Sequence, residues 1–425
     1  MTAPGSRPQR SFLRTVGRTA GYNVLITGIS AVTGVLLARW LGASGRGDYA
    51  ATMAYLGLAL IFFEVGLGSS VVYHVSRWRA VQADYVRTAA ALLVPLAALA
   101  AVVAALVGVF LFGDSPARRG AFLVLPLSIA FCFAGAPPSF ALQAINLGRW
   151  NLVRLVQPVS FLMLVIGAQL VTSLDVVLVV NLLAATFAGQ TALAWWLYRR
   201  VAGDSGRRRR GYVRPLLKFG VLNLSSNAPN ALNSRADQLL LAVLVSSAAL
   251  GEYAVAVSLS VLAAPLIQAF GYVAFPGLAR GEDIARTIRT SIRGAILVSV
   301  ISLLIILAGG PFAIPLVFGP DYHSVTTILL VLAPGAAVVG VNQVLGDLLR
   351  GLGKPAAVAL CEGFGVVFTI GGLLLLVPRL GVVGAAVTST VTYLVVFALL
   401  LRSVSKSVQS AAEHPGVAPT SMEAG

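Results

Sequence analysis

Apolar residues fall in runs too long for the core helices of a soluble domain, each closed by a short polar turn. A helix rises about 1.5 Å per residue, so roughly 20 apolar residues cross the ~30 Å of hydrocarbon in a bilayer. Twelve such runs are predicted, at 19–41, 49–73, 88–112, 121–145, 151–171, 176–198, 216–246, 252–278, 292–316, 325–348, 356–378 and 381–401. The predicted fold class is therefore an all-α polytopic membrane protein of twelve transmembrane helices. Polar punctuation divides it into a basic N-terminus (1–18), six helices (19–198), a hydrophilic linker (199–215), six more helices (216–402) and a tail (403–425). The tail is rich in Ser, Ala, Pro and Gly and reads as disordered and cytoplasmic. The first run is too long for a signal-peptide core and ends without a small-residue cleavage site, so the first helix is expected to stay on the protein.

The polar turns repeat. Gly47-Asp48-Tyr49-Ala50 returns as Gly251-Glu252-Tyr253-Ala254, 204 positions later. Phe112-Gly113-Asp114 is echoed by Phe318-Gly319-Pro320-Asp321, and Leu147-Gly148-Arg149 by Leu352-Gly353-Lys354, at nearly the same offset. Six spans per half start and finish each half on one face, which predicts parallel repeats related by an axis along the membrane normal.

Charge sets the orientation. The chain is 58% hydrophobic and 11% charged, with a net charge of +16. The basic residues sit on alternate connections: 25 fall on one side, among them Arg7, Arg77, Arg149, the run Arg207 to Arg210, Arg289 and Lys406, and five on the other, Arg39, Arg46, Arg118, Arg119 and Arg379. This is the positive-inside pattern, which places both termini in the cytoplasm and argues against nucleic acid as the partner. Arg39 and Arg46 flank a glycine turn on the sparse outer side and read as surface anchors or as contacts for lipid phosphate.

The motifs of enzymes are missing. The chain has neither a phosphate loop of the G-x-x-x-x-G-K-[ST] type nor an H-E-x-x-H sequence. Its histidines, His74, His323 and His414, are scattered, and Cys132 and Cys361 lie within spans as small apolar residues. No catalytic residue and no metal site is predicted, and the chain is not expected to be an enzyme.

Polar chemistry enters the membrane chiefly in the seventh run. Asn223, Asn227, Asn230, Ser234 and Asp237 are spaced 4, 3, 4 and 3, which keeps them on one face of a helix. Subtracting 204 gives Thr19, Asn23, Ile26, Ser30 and Thr33 in the first span, so a second polar stripe is expected there. The stripes read as cavity linings, or singly as helix-packing hydrogen bonds of about 0.6 to 2 kcal/mol. Pro229 lacks an N–H and is the expected hinge. Charged groups within spans are functional candidates because each costs at least about 2.5 to 3.5 kcal/mol near the centre. They are Glu64, Arg235, Asp237 and Glu362. Arg235 either pairs with Glu64 or offers its fixed donors to a phosphate or pyrophosphate, with Glu64 or Asp237 titrating during transport. Asp347, beside Arg350 near a helix end, reads as a solvated neighbour.

Several segments, taken in order, resemble the polysaccharide-transporter, O-antigen flippase-like branch of the multidrug/oligosaccharidyl-lipid/polysaccharide exporter superfamily. They are Ala38-Arg39-Trp40-Leu41-Gly42, Gly47-Asp48-Tyr49-Ala50, Gly66-Leu67-Gly68, Leu147-Gly148-Arg149, Ser234-Arg235-Ala236-Asp237, Gly251-Glu252-Tyr253, Phe275-Pro276, Phe318-Gly319 and Gly384-Ala385-Ala386. The resemblance implies two six-helix lobes in a V and alternating access that carries a polyprenyl-diphosphate-linked oligosaccharide from the inner to the outer leaflet. It implies a bacterial cytoplasmic membrane as the setting, the lipid bilayer and glycan polymerase or glycosyltransferases as partners, and no cofactor beyond a coupling H+ or Na+. Two alternatives stand beside it. A cation-coupled multidrug antiporter of the same fold is disfavoured by the absence of Asp or Glu from the first span. A non-transporting scaffold for glycan assembly has no need of a polar stripe or of Arg235 in the membrane.

Overall fold

Long apolar segments satisfy their backbone N–H and C=O groups away from water by forming helices. The computed structural model of the chain describes residues 7–112, 115–203, 206–279, 284–318, 322, 324–352 and 354–413, and no strand occurs among them. Thirteen α-helices follow in order: α1 Arg7–Phe62, α2 Leu67–Arg77, α3 Gln82–Phe110, α4 Pro116–Ile145, α5 Leu147–Val171, α6 Val176–Ala202, α7 Val213–Asn233, α8 Ala236–Leu244, α9 Ser247–Ser260, α10 Ala264–Ala279, α11 Ile284–Phe318, α12 Val325–Gly351 and α13 Pro355–Glu413. Ser115, Asn146 and Asp175 start α4, α5 and α6 by accepting the backbone N–H three residues on, at 3.3, 3.1 and 2.6 Å.

Eight helices among the described residues are long and apolar enough to cross a membrane, or nine if the bent pair Ser247–Ser260 and Ala264–Gly271 is one span. The number differs from twelve for a structural reason. α13 carries two of the predicted runs and α1 carries the first and the start of the second, joined at Gly381 (φ 57°) and Gly42 (φ 66°), left-handed positions that glycine reaches without a Cβ clash; the second run is interrupted after Phe62 and ends in α2. The seventh run is divided: α7 stops at Asn233, and α8 begins at Ala236. Pro229 lies inside α7, which continues past it, so the interruption falls at Ser234–Arg235 and not at the proline.

The chain forms two compact units, Met1–Ala228 with Ser246–Gly251, and Pro229–Val245 with Glu252–Gly425. The described part of the linker 199–215 lies within the first unit and is fastened to the start of α3. The Arg207 N–H donates to Asp84 Oδ1 at 2.7 Å, the Arg209 N–H donates to Thr88 Oγ1 at 3.0 Å, and the Arg209 guanidinium pairs with the Asp84 carboxylate. Tyr212 stacks on Tyr85 with ring centroids 4.2 Å apart.

In the first unit α4 packs between α3 and α6, burying Phe122, Leu125, Ile129 and Leu142. In the second, α12 packs against α10 and α13 around Ile267, Val344, Leu345, Leu348 and Leu400. Other large apolar side chains point outward, such as Phe110 (78% exposed), Leu170 (82%) and Phe312 (80%). Outward apolar surface on this scale suits lipid rather than water.

The internal repeat is written in the packing. Thr191 Oγ1 on α6 donates to the Phe131 carbonyl on α4 at 2.7 Å, and Thr390 Oγ1 on α13 donates to the Val331 carbonyl on α12 at 2.7 Å. Beside each lies a glycine: a Cβ on Gly135 would come 2.5 Å from Thr191 Oγ1, and one on Gly335 2.6 Å from Thr390 Cα. The two copies of the opening motif meet within the first unit. A Cβ on Gly47 would lie 1.7 Å from the Ser247 carbonyl oxygen, and one on Gly251 1.9 Å from that of Ala43. Ala43 and Ser247 are themselves 204 apart, so the contact pairs equivalent positions of the two copies of the motif.

Candidate functional site

The predicted polar stripe of the seventh run does not survive as one face. Asn230 and Asn233 on α7 both turn to Glu362 on α13, donating to Oε1 at 3.3 Å and to Oε2 at 3.2 Å. Thr369 Oγ1 donates to Asn233 Oδ1 at 2.9 Å and lies 3.3 Å from Thr392 Oγ1. Asn230, Asn233, Ser234, Asn342, Glu362 and Tyr393 line a cavity of about 50 Å³. Asn342 Nδ2 donates to the Tyr393 carbonyl at 3.0 Å, while its buried Oδ1 has no hydrogen-bond partner among the described residues. Asn223 is half-buried, and the side chain of Asn227 lies outside the described residues.

The helix break sends the next three residues to different places. Ser234 is exposed and donates to the Ala231 carbonyl at 2.8 Å. Arg235 is exposed at the N-cap position of α8, and its guanidinium has no hydrogen-bond or ion-pair partner among the described residues. Asp237 is buried. It accepts from Tyr253 Oη at 2.7 Å and from the Gln238 N–H at 2.7 Å, and Ser389 Oγ stands 3.1 Å from the same Tyr253 hydroxyl. Asp237 thus fastens α8 to α9 and α13 and lines neither described cavity. The turn at Ser234–Arg235 interrupts the 100° rotation on which the stripe depended.

In the first span, Thr19 Oγ1 accepts from Asn151 Nδ2 at 3.1 Å, and Thr33 Oγ1 donates to the Ile29 carbonyl of its own helix at 2.8 Å. Ser30 is exposed, and the buried Oδ1 of Asn23 has no hydrogen-bond partner among the described residues. Glu64 follows α1 at an interruption between α1 and α2. Its Oε1 accepts from the Gly68 N–H at 2.7 Å, and its side chain lines a cavity of about 250 Å³ within the first unit. Asp347 Oδ1 accepts from Arg350 at 3.0 Å.

Sequence reasoning missed two clusters. Asn233 falls between the stripe positions, and the unexplained Glu362 was the signal that a donor pair stood near it. The second cluster is a buried clasp on the predicted outer side. Arg118 Nε donates to Asp48 Oδ1 at 2.8 Å, Arg118 also donates to Ser247 Oγ at 2.7 Å, and Ser247 Oγ donates to Asp48 Oδ1 at 2.6 Å. Asp48 belongs to the repeated motif, and Arg118 is one of the five cations on the predicted outer side; these are the signals from which the pair could have been read. Arg46, read as a surface anchor, is instead buried with its guanidinium 5.6 Å from the Tyr49 ring centroid.

An all-helical chain with eight or nine apolar spans among the described residues, repeat-related packing and polar groups set into its helices defines a polytopic membrane protein. Residues 12–282 match the family described as polysaccharide biosynthesis protein, and the chain belongs to that family. It is 21% identical over 384 residues to the probable low-salt glycan biosynthesis flippase Agl15 of Haloferax volcanii, covering 88% of this chain and 79% of that protein. Its fold is similar to that of the lipid II flippase MurJ in an inward closed conformation, with a TM-score of 0.77 and 11% identity over 93% of this chain and 90% of that one. It is also similar to an inward-facing multidrug resistance transporter of the MATE family, with a TM-score of 0.71 and 14% identity over 91% and 96% of the two chains.

Proposed function

We propose that this protein moves a polyprenyl-diphosphate-linked oligosaccharide from the inner to the outer leaflet of the cytoplasmic membrane by alternating access, with both termini in the cytoplasm. The observation that carries the reading is Arg235, an exposed guanidinium at the break between α7 and α8 with no hydrogen-bond or ion-pair partner among the described residues. An exposed guanidinium in the predicted seventh run suits an anion, and the planar fork of arginine matches phosphate oxygens. Neutral hydrogen-bonding groups near it in sequence, Asn223, Asn230 and Ser234, suit sugar hydroxyls. Membership of the polysaccharide biosynthesis family and the kinship with a glycan flippase support the same cargo class. A coupling ion, H+ or Na+, supplies the driving force, and glycosyltransferases or a polymerase act before and after the transport step. The test is the leaflet distribution of polyprenyl-diphosphate-linked glycans in cells lacking the protein, complemented by wild type or by Arg235→Ala at equal expression. Cytoplasmic-leaflet accumulation rescued by wild type alone is the expected result. Equal rescue by Arg235→Ala removes the arginine from the account, and an unchanged distribution without the protein removes the cargo.

A further inference from the structure

Between α6 and α7 the described part of the linker follows a fixed path across the first two turns of α3. Gly206 lies so close to α3 that a Cβ on it would come 2.3 Å from the Ala83 carbonyl oxygen. Asp84 accepts the Arg207 N–H at 2.7 Å, Thr88 accepts the Arg209 N–H at 3.0 Å, and Tyr212 stacks on Tyr85. This strap is thus held by its backbone, by the Arg209–Asp84 pair and by one tyrosine. Arg207, Arg208 and Arg210 are exposed, and their side chains make no hydrogen bond among the described residues. Folding has already ordered the backbone that carries them, so a ligand that binds these cations does not meet that entropy cost again.

Little nearby balances the charge. Across residues 82–92, 194–203 and 206–220 there are nine Arg and Lys and a single acid, Asp84, which Arg209 already engages. Cations gathered without counter-charges repel one another and attract anions from outside. The setting says which anions. α3 and α6 are both long and apolar enough to cross a membrane, and because the strap folds back onto α3 it stays beside a span end. Arg87, on the same stretch of α3, lies 5.1 Å from the Trp195 ring centroid, and Arg199 lies 5.9 Å from it. Arg200 sits 4.0 Å over the ring of Trp196, which is 48% exposed. Indoles settle at the headgroup level of a bilayer, and juxtamembrane Arg and Lys are drawn to anionic lipid. An acidic soluble partner would account for the arginines but not for an exposed tryptophan among them. We infer that the strap 207–210, with the arginine–tryptophan set at the end of α6, is a binding surface for the headgroups of anionic phospholipids. None of these residues lines either described cavity, so the surface is separate from the groups assigned to the cargo.

The full-length protein in non-ionic detergent, without any glycan, is titrated with phosphatidylglycerol labelled on its acyl chain and with the equally labelled phosphatidylcholine, binding being read by fluorescence anisotropy. Phosphatidylglycerol is expected to bind about tenfold more tightly, the equivalent of roughly 1.4 kcal/mol. The preference should vanish near ~1 M salt, where the Debye length falls to about 3 Å. Changing Arg207, Arg208 and Arg210 together to Gln leaves the backbone bonds and the Arg209–Asp84 pair in place, and should cut the preference to about twofold or less. The same three changed to Lys should keep it. Arg289→Gln, Arg293→Gln and Arg402→Gln together remove equal charge from exposed positions of the second unit and should also leave it intact. If the first triple variant does not fold, Arg208→Glu replaces it and should weaken the preference about threefold. A preference absent from wild type, retained by the Gln triple or by Arg208→Glu, lost by the Lys triple, or lost equally by the second-unit control overturns the inference. Displacement of the lipid by inorganic pyrophosphate or by an acidic peptide at concentrations below its own would assign the surface to a soluble partner, and overturns it too. Because no glycan is present, these results are independent of the cargo assignment.

Discussion

In the first unit Thr191 donates its hydroxyl to Phe131 on the neighbouring helix beside Gly135, and in the second Thr390 donates to Val331 beside Gly335. The intramembrane carboxylates follow no such rule. The position 204 after Glu64 is Gln268, and the offset of 199 to 200 that relates the two crossings takes Glu362 to Met163 or Leu162. Glu64 opens on a roomy apolar cavity, while Glu362 is held by two asparagines in a small polar one. The repeat has kept what lets helices approach closely, a small residue and a hydroxyl that bonds across the crossing. It has let the charged chemistry of the two units diverge, as expected if the units perform different tasks in one cycle.

The largest expected effect breaks the shared part of that comparison. Gly47→Ala and Gly251→Ala each drive a methyl into backbone oxygen, so both should cost about 3 kcal/mol or more and empty the folded fraction, measured by thermal unfolding in detergent. Gly28→Ala, with nothing within 4 Å, should leave the transition in place. Next comes the clasp. Arg118→Ala strands the buried Asp48 carboxylate and should cost about 3 to 5 kcal/mol, whereas the double change Arg118→Met with Asp48→Leu should recover most of it. Glu362→Leu leaves the amides of Asn230 and Asn233 without their acceptor and should cost about 1 to 3 kcal/mol for each amide stranded, with Glu362→Gln milder. A finer test compares the repeated crossings. Gly335→Ala meets backbone Cα at 2.6 Å and Gly135→Ala first meets a side-chain hydroxyl at 2.5 Å, so the former should be worse by about 1 kcal/mol. The smallest effect is Arg209→Ala, whose side chain is 60% exposed; removing its pair with Asp84 should shift stability by about 0 to 1 kcal/mol.

Much of this was open to reading in the sequence because it rests on local pattern. Apolar run length gives the helices, and the offset of 204 that relates Gly47 to Gly251 in sequence is the one that brings them into contact. The kinks at Gly42 and Gly381 fall where runs one and two, and eleven and twelve, were divided. What escaped depends on partners far along the chain. Pro229 is the residue that local rules select as a bend, yet the helix passes through it and stops where Arg235 takes φ −136°. Asp237 looks like a member of a wet face until Tyr253 and Gln238 claim its carboxylate. The link between Asn233 and Glu362 spans 129 residues, and no periodicity within one helix encodes it.

The most direct measurement of the central claim uses proteoliposomes carrying the purified protein and a polyprenyl-diphosphate-linked oligosaccharide on one side, with a membrane-impermeant lectin reporting glycan on the other. Protein-dependent appearance of the glycan is expected, slowed strongly by Arg235→Ala in a folded variant. Glycan that crosses no faster than in empty liposomes, with correctly folded wild-type protein present and a pH gradient applied in either direction, would contradict it.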